Sequence, residues 1–105
     1  MIMGLGNMDV AQAMRNKKTR GQIMRTLAIF YPDPIMVCDL KVALITRGIN
    51  SIAELEGHLK YLEDAGYIRI KDGLDKTVRE DDLIEITTKG TKLLEGDLDD
   101  TSVML

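Results

Sequence analysis

Residues 51–70 read SIAELEGHLKYLEDAGYIRI. Ser51-Ile52-Ala53-Glu54 is a capping box: the serine hydroxyl accepts from the glutamate's backbone N–H, and the glutamate side chain reaches back to the serine N–H. Ile52, Leu55, Leu59 and Leu62 follow at helical spacing on one face, and Ala65-Gly66 ends the run. The period then changes. Tyr67-Ile68-Arg69-Ile70-Lys71 alternates, as does Leu83-Ile84-Glu85-Ile86-Thr87, with Ile68, Ile70, Ile84 and Ile86 on the face to be buried. The stretch predicts a helix that runs directly into an antiparallel hairpin, whose long polar tip spans Asp72 to Asp82 and carries Gly73.

Working towards the N-terminus, Arg47-Gly48-Ile49-Asn50 supplies a glycine C-cap and a turn. A helix before it carries Val37, Leu40, Ala43, Leu44 and Ile45, and Asp33-Pro34 predicts its start, as an Asp N-cap followed by proline at the first helical position. Further back, Thr19-Arg20-Gly21-Gln22 fits another capping box, opening a helix with Ile23, Met24, Leu27, Phe30 and Tyr31 as its apolar stripe until Pro32 and Pro34 stop it. Asn7 to Asn16 reads as a separate, weaker helix with a thin face of Val10, Ala13 and Met14, suited to packing on a second subunit. Beyond the hairpin, a short helix is expected from Thr88 to Glu95, burying Leu93 and Leu94. The acidic segment after Gly96 reads as a flexible tail whose Val103, Met104 and Leu105 are available to a partner. The fold class is therefore α+β, mainly α: a three-helix core, a two-stranded hairpin and a short closing helix. Its divisions are a basic segment at 1–18, one domain at 19–95 and a tail at 96–105.

At 105 residues, the chain suits one small domain with a modest core. No apolar run reaches the roughly 20 residues needed to cross a bilayer, so no membrane association is expected. Met1 to Gly6 lacks the basic and apolar regions of a secretory signal. One cysteine, Cys38, leaves no internal disulfide, which points to a reducing, cytoplasmic setting. The net charge of -3 hides an asymmetry. Residues 1–25 set five basic side chains against Asp9, whereas from Ser51 onward fourteen carboxylates face seven basic side chains. A polyanion should prefer the N-terminal end.

The order of elements, with its glycine turn between the second and third helices, resembles a winged helix-turn-helix. His58-Leu59-Lys60-Tyr61-Leu62-Glu63-Asp64-Ala65-Gly66-Tyr67-Ile68 is similar to the "HLKxLxxAGLI" run of ArsR- and MarR-type repressors, and Ile86-Thr87-Thr88-Lys89-Gly90 to their "LTxxG" step. The likeness spans about residues 19 to 95. It implies a DNA-binding transcriptional regulator acting as a homodimer, while the same fold also serves as a protein-binding module. Met36-Val37-Cys38-Asp39-Leu40 resembles the "CVCDL" of metal-sensing ArsR repressors, but Met36 replaces the first cysteine. A lone thiolate with Asp39 is too few ligands for a firm site, so Cys38 reads as a small buried hydrophobe and no metal or cofactor is expected.

In winged-helix repressors the outward positions on the first two turns of the third helix enter the major groove; here they are Ala53, Glu54, Glu56 and Gly57. Direct readout favours donors such as Arg, Lys, Asn or Gln, so this helix is depleted. Affinity for double-stranded DNA is expected instead from Arg15, Lys17, Lys18 and Arg20, with Lys60 and Tyr61 a turn later on the third helix and Lys71, Lys76 and Arg79 at the wing. The carboxylates of the second half suit a basic protein partner in the alternative role. No enzyme is expected: His58 has no second histidine or cysteine for a zinc site, Gly4-Leu5-Gly6 lacks the lysine of a phosphate loop, and Ser51 already serves as a cap.

Overall fold

A computed structural model describes residues 2–49, 54–71 and 77–105, with side chains from residue 9 onward. The capping box at Ser51, together with Ile52 and Ala53, lies outside the described residues, as does the middle of the hairpin tip, 72–76.

The first helix, α1, runs unbroken over Ile2–Phe30. Thr19 does not start it. The residue is buried in mid-helix at 7% exposure, and the expected weak helix and core helix are one element. The physical reason is local: Arg15, Lys17, Lys18, Arg20 and Gln22 all favour helix, and no proline separates the two halves. Of the expected apolar stripe, Ile23, Met24 and Leu27 are buried, whereas Phe30 and Tyr31 are exposed.

A turn through Pro32 leads into a short strand, β1 (Ile35–Met36), and then α2 (Val37–Thr46). Asp33-Pro34 therefore does not start a helix, because Ile35 is drawn into a sheet by pairing with Ile84. The first donors of α2 need no side-chain cap. Val37 N–H donates to the Asp82 carbonyl at 2.9 Å and Cys38 N–H to the Glu80 carbonyl at 2.9 Å. Backbone carbonyls across the fold thus satisfy the groups that a helix start leaves unpaired. Helix α2 ends at the expected glycine, Gly48, whose φ is +81°.

Helix α3 (Leu55–Asp64) buries Leu55, His58, Leu59 and Leu62 and hands over to β2 (Ile68–Lys71). Strand β3 (Leu83–Ile86) pairs antiparallel with β2, as expected, with Ile68 opposite Ile86 and Ile70 opposite Ile84. The sheet has three strands rather than two, in the order β1-β3-β2. Helix α4 (Thr88–Glu95) has the expected bounds; Thr87 caps it by accepting from Gly90 N–H at 3.1 Å. Gly90 itself packs so close to the Tyr67 carbonyl that a Cβ would overlap that oxygen.

The tail is not loose. Val103 is buried in the main core at 3% exposure, Met104 N–H donates to the Lys17 carbonyl at 3.1 Å, and Asp100 folds into a turn that accepts from Ser102 N–H at 2.9 Å. Burying one valine contributes roughly 1.5–3 kcal/mol, enough to hold a short segment that already has backbone partners. Gly21 is what permits the approach, since a Cβ there would overlap the Met104 carbonyl. This explains a glycine in a helix interior, where it costs about 1 kcal/mol relative to alanine. Gly21→Ala is accordingly expected to keep or raise helicity while releasing the tail. Hydrogen exchange should show protection of the Val103 and Met104 amides falling with the core amides of α3 unchanged.

Candidate nucleic-acid interface

Two of the expected contact regions, the basic part of α1 and the second half of α3, meet in the structure. The Arg20 guanidinium lies 3.6 Å from the centroid of the Tyr61 ring, a close cation–π contact. Arg20 also donates from Nη1 to the Ser102 carbonyl at 3.1 Å, so this side chain joins α1, α3 and the tail. Its role therefore differs from the free phosphate contact expected of it: the guanidinium is part-buried and its Nε is enclosed with no hydrogen-bond partner among the described residues. Arg15 and Lys18 remain exposed, although Arg15 donates to Gln12 Oε1 at 2.9 Å, and Lys17 is half-buried.

On α3, Glu56 and Gly57 face solvent, and among the described residues nothing stands within 4 Å of where a Cβ on Gly57 would lie. Lys60 is half-buried and Tyr61 is 38% exposed. Ala53 and Lys76 lie outside the described residues. At the hairpin, Lys71 and Arg79 are both exposed, the latter donating its backbone N–H to Asp82 Oδ2 at 2.8 Å. Lys41 of α2 forms an ion pair with Glu80, and Arg69 pairs with Glu85 across the β2–β3 ladder at 2.9 Å. These pairs neutralise part of the charge near the hairpin and leave the basic stretch of α1 as the more open cationic surface.

His58 sits behind this surface at 6% exposure. Burial pushes its pKa below 6.5, the Arg20 charge adds to that, and Glu54, with Oε1 at 3.9 Å from Nε2, opposes both. The imidazole is thus neutral near pH 7 and adds no positive charge to the face. Tyr67, buried at the base of the hairpin, donates to Asp100 Oδ2 at 2.5 Å; burial and that bond push the phenol up to about 12. The Asp100 carboxyl is held below its usual range by hydrogen bonds from Ser102 and Tyr67. Residues 61 and 67 were legible as helix and strand positions, but their partners Arg20 and Asp100 lie too far along the chain for any spacing rule to reveal.

Among the described residues no cluster of three or more His, Cys, Asp or Glu side chains is placed to hold a metal ion, and no helix is long and apolar enough to cross a membrane. Cys38 is half-buried rather than fully enclosed. Comparison with family models, curated proteins and solved structures finds no match to this chain.

The neutral His58 makes stability depend on pH. The unfolded chain titrates at 6.5 and the folded protein lower, so the contribution is complete above 6.5 and is lost as pH falls through the folded value. Thermal melts at stepped pH should show the wild type losing more stability below pH 6.5 than a His58→Gln variant does.

Proposed function

We propose that this chain is a small winged-helix protein that binds double-stranded DNA as a transcriptional regulator with weak sequence selectivity. The reading is supported by the order α1-β1-α2-α3-β2-β3, with α2 and α3 joined through the Gly48 turn and the β2–β3 hairpin following α3 as a wing. The observation that carries it is the Arg20–Tyr61 contact. It sets the basic stretch of α1 against the second half of α3, with Lys17 one helical turn from Arg20 and Lys60 next to Tyr61 in the chain. Phosphate contacts from these basic side chains give affinity and orientation, while base readout needs donors that Glu56 and Gly57 do not offer. Weak selectivity follows from that division. Arg20 acts by holding the two elements together, and the flanking lysines meet the phosphates.

A second reading, a winged helix that binds protein instead of DNA, is favoured by the carboxylates of Glu54 and Glu56, both exposed at the start of α3. A basic protein surface would complement them.

Fluorescence anisotropy on a random-sequence duplex separates the two. Binding at about 50 mM salt that weakens steeply by about 200 mM is expected, through release of counterions from the neutralised phosphates. Replacing Lys17 and Lys18 together by alanine should lower affinity and reduce the slope of log affinity against log salt by about one for each lysine removed. Failure to bind at about 50 mM salt overturns the DNA reading in favour of the protein-binding one.

A further inference from the structure

The expected apolar surface for self-association was the N-terminal helix together with Val103, Met104 and Leu105, and Val103 is already consumed inside the fold. A different apolar surface is left open. Where the end of α1 meets α2, a groove of about 540 Å³ is lined by Ile29, Phe30 and Val42, with Asp39 and Arg47 also in its wall. Ile29 is 63% exposed, Phe30 37% and Val42 63%. Ile29, Phe30 and Val42 together expose on the order of 300 Å², in the range of patches that are often functional on a single chain.

The charges say what kind of partner fits. Asp39 and Arg47 stand about 12 Å apart along α2 at 1.5 Å per residue. The residue midway between them is Ala43, which also lines the groove. Neither charge forms an ion pair among the described residues; Arg47 makes only a long contact, 3.4 Å, to Thr26 Oγ1. A twofold axis passing beside Ala43 would set two α2 helices antiparallel, with Asp39 of each copy opposite Arg47 of the other. The small alanine at the crossing allows helix axes to approach to the usual 8–10 Å or so. In such an isologous contact every pairing occurs twice, so one acid and one base placed symmetrically about a small residue are self-complementary.

We infer that this chain forms a twofold dimer through the groove between α1 and α2, with Ala43 and Val42 at its centre, Ile29 and Phe30 beside them, and reciprocal Asp39–Arg47 ion pairs at its ends. The apolar patch supplies somewhat more than a third of the roughly 800 Å² each partner contributes to a standard interface. Polar groups around its rim, Asp39 and Arg47 among them, supply the remainder. The inference does not depend on DNA binding, and its readout is molecular mass alone.

Light scattering on the full chain at about 50 µM, well above a micromolar dissociation constant, should give about twice 11.7 kDa. Val42→Glu, at a site exposed in the single chain, should yield monomer with an unchanged circular dichroism spectrum. Asp39→Arg and Arg47→Asp should each weaken dimerisation at least tenfold, and combining them should restore it. A monomeric wild type overturns the inference and leaves the groove to a different protein. A dimer that survives Val42→Glu, or a double exchange that fails to recover, overturns it equally.

Discussion

Burial of Ile23, Met24 and Leu27 on one face of α1 is the constraint on which the remaining structure depends. All three are at most 3% exposed, and α1 touches α2, α3, α4 and β3. Each other element presents its own apolar residues to this face: Leu40 and Leu44 from α2, Leu59 and Leu62 from α3, Ile84 from β3, Leu93 from α4. Without it, α3 and the hairpin would have no common floor, because a two-stranded ribbon and a helix of ten residues are each marginal alone.

The sheet adds a second level of organisation. Strand β3 is central, pairing with β1 on one side and β2 on the other, so Ile84 lies opposite both Ile35 and Ile70. That arrangement delivers the carbonyls of Glu80 and Asp82 to the first turn of α2, which begins where it does because of a segment more than forty residues later in the chain. At the outer edge, Glu63 accepts from Ile70 N–H at 3.2 Å, covering part of the exposed ladder of β2.

Arg20 shows how one side chain changes the meaning of a charged stretch. As a member of Arg15-Asn16-Lys17-Lys18-Thr19-Arg20 it reads as one of several solvated cations. In the fold it stacks on Tyr61, holds the Ser102 carbonyl and lowers the proton affinity of His58. The acidic tail, in turn, is anchored by Tyr67 and by the bare backbone of Gly21, so its carboxylates lie along the domain instead of trailing from it.

Local patterns determined much of this protein. The turn at Gly48, the face of α3, the alternation within each hairpin strand and the bounds of α4 are all visible in residues no more than a few positions apart, because capping, helical period and strand alternation act over that range. Tertiary structure decided the strand at Ile35, the docking of the tail and the place of Arg20. In each case the deciding partner is remote in sequence: Ile84 for Ile35, Met104 for Gly21, Tyr61 for Arg20. A capping box at Thr19 and an Asp-Pro start at Asp33 are real local preferences, worth about a kilocalorie each. Burial of whole faces and pairing of backbone groups outweigh them once the chain is compact.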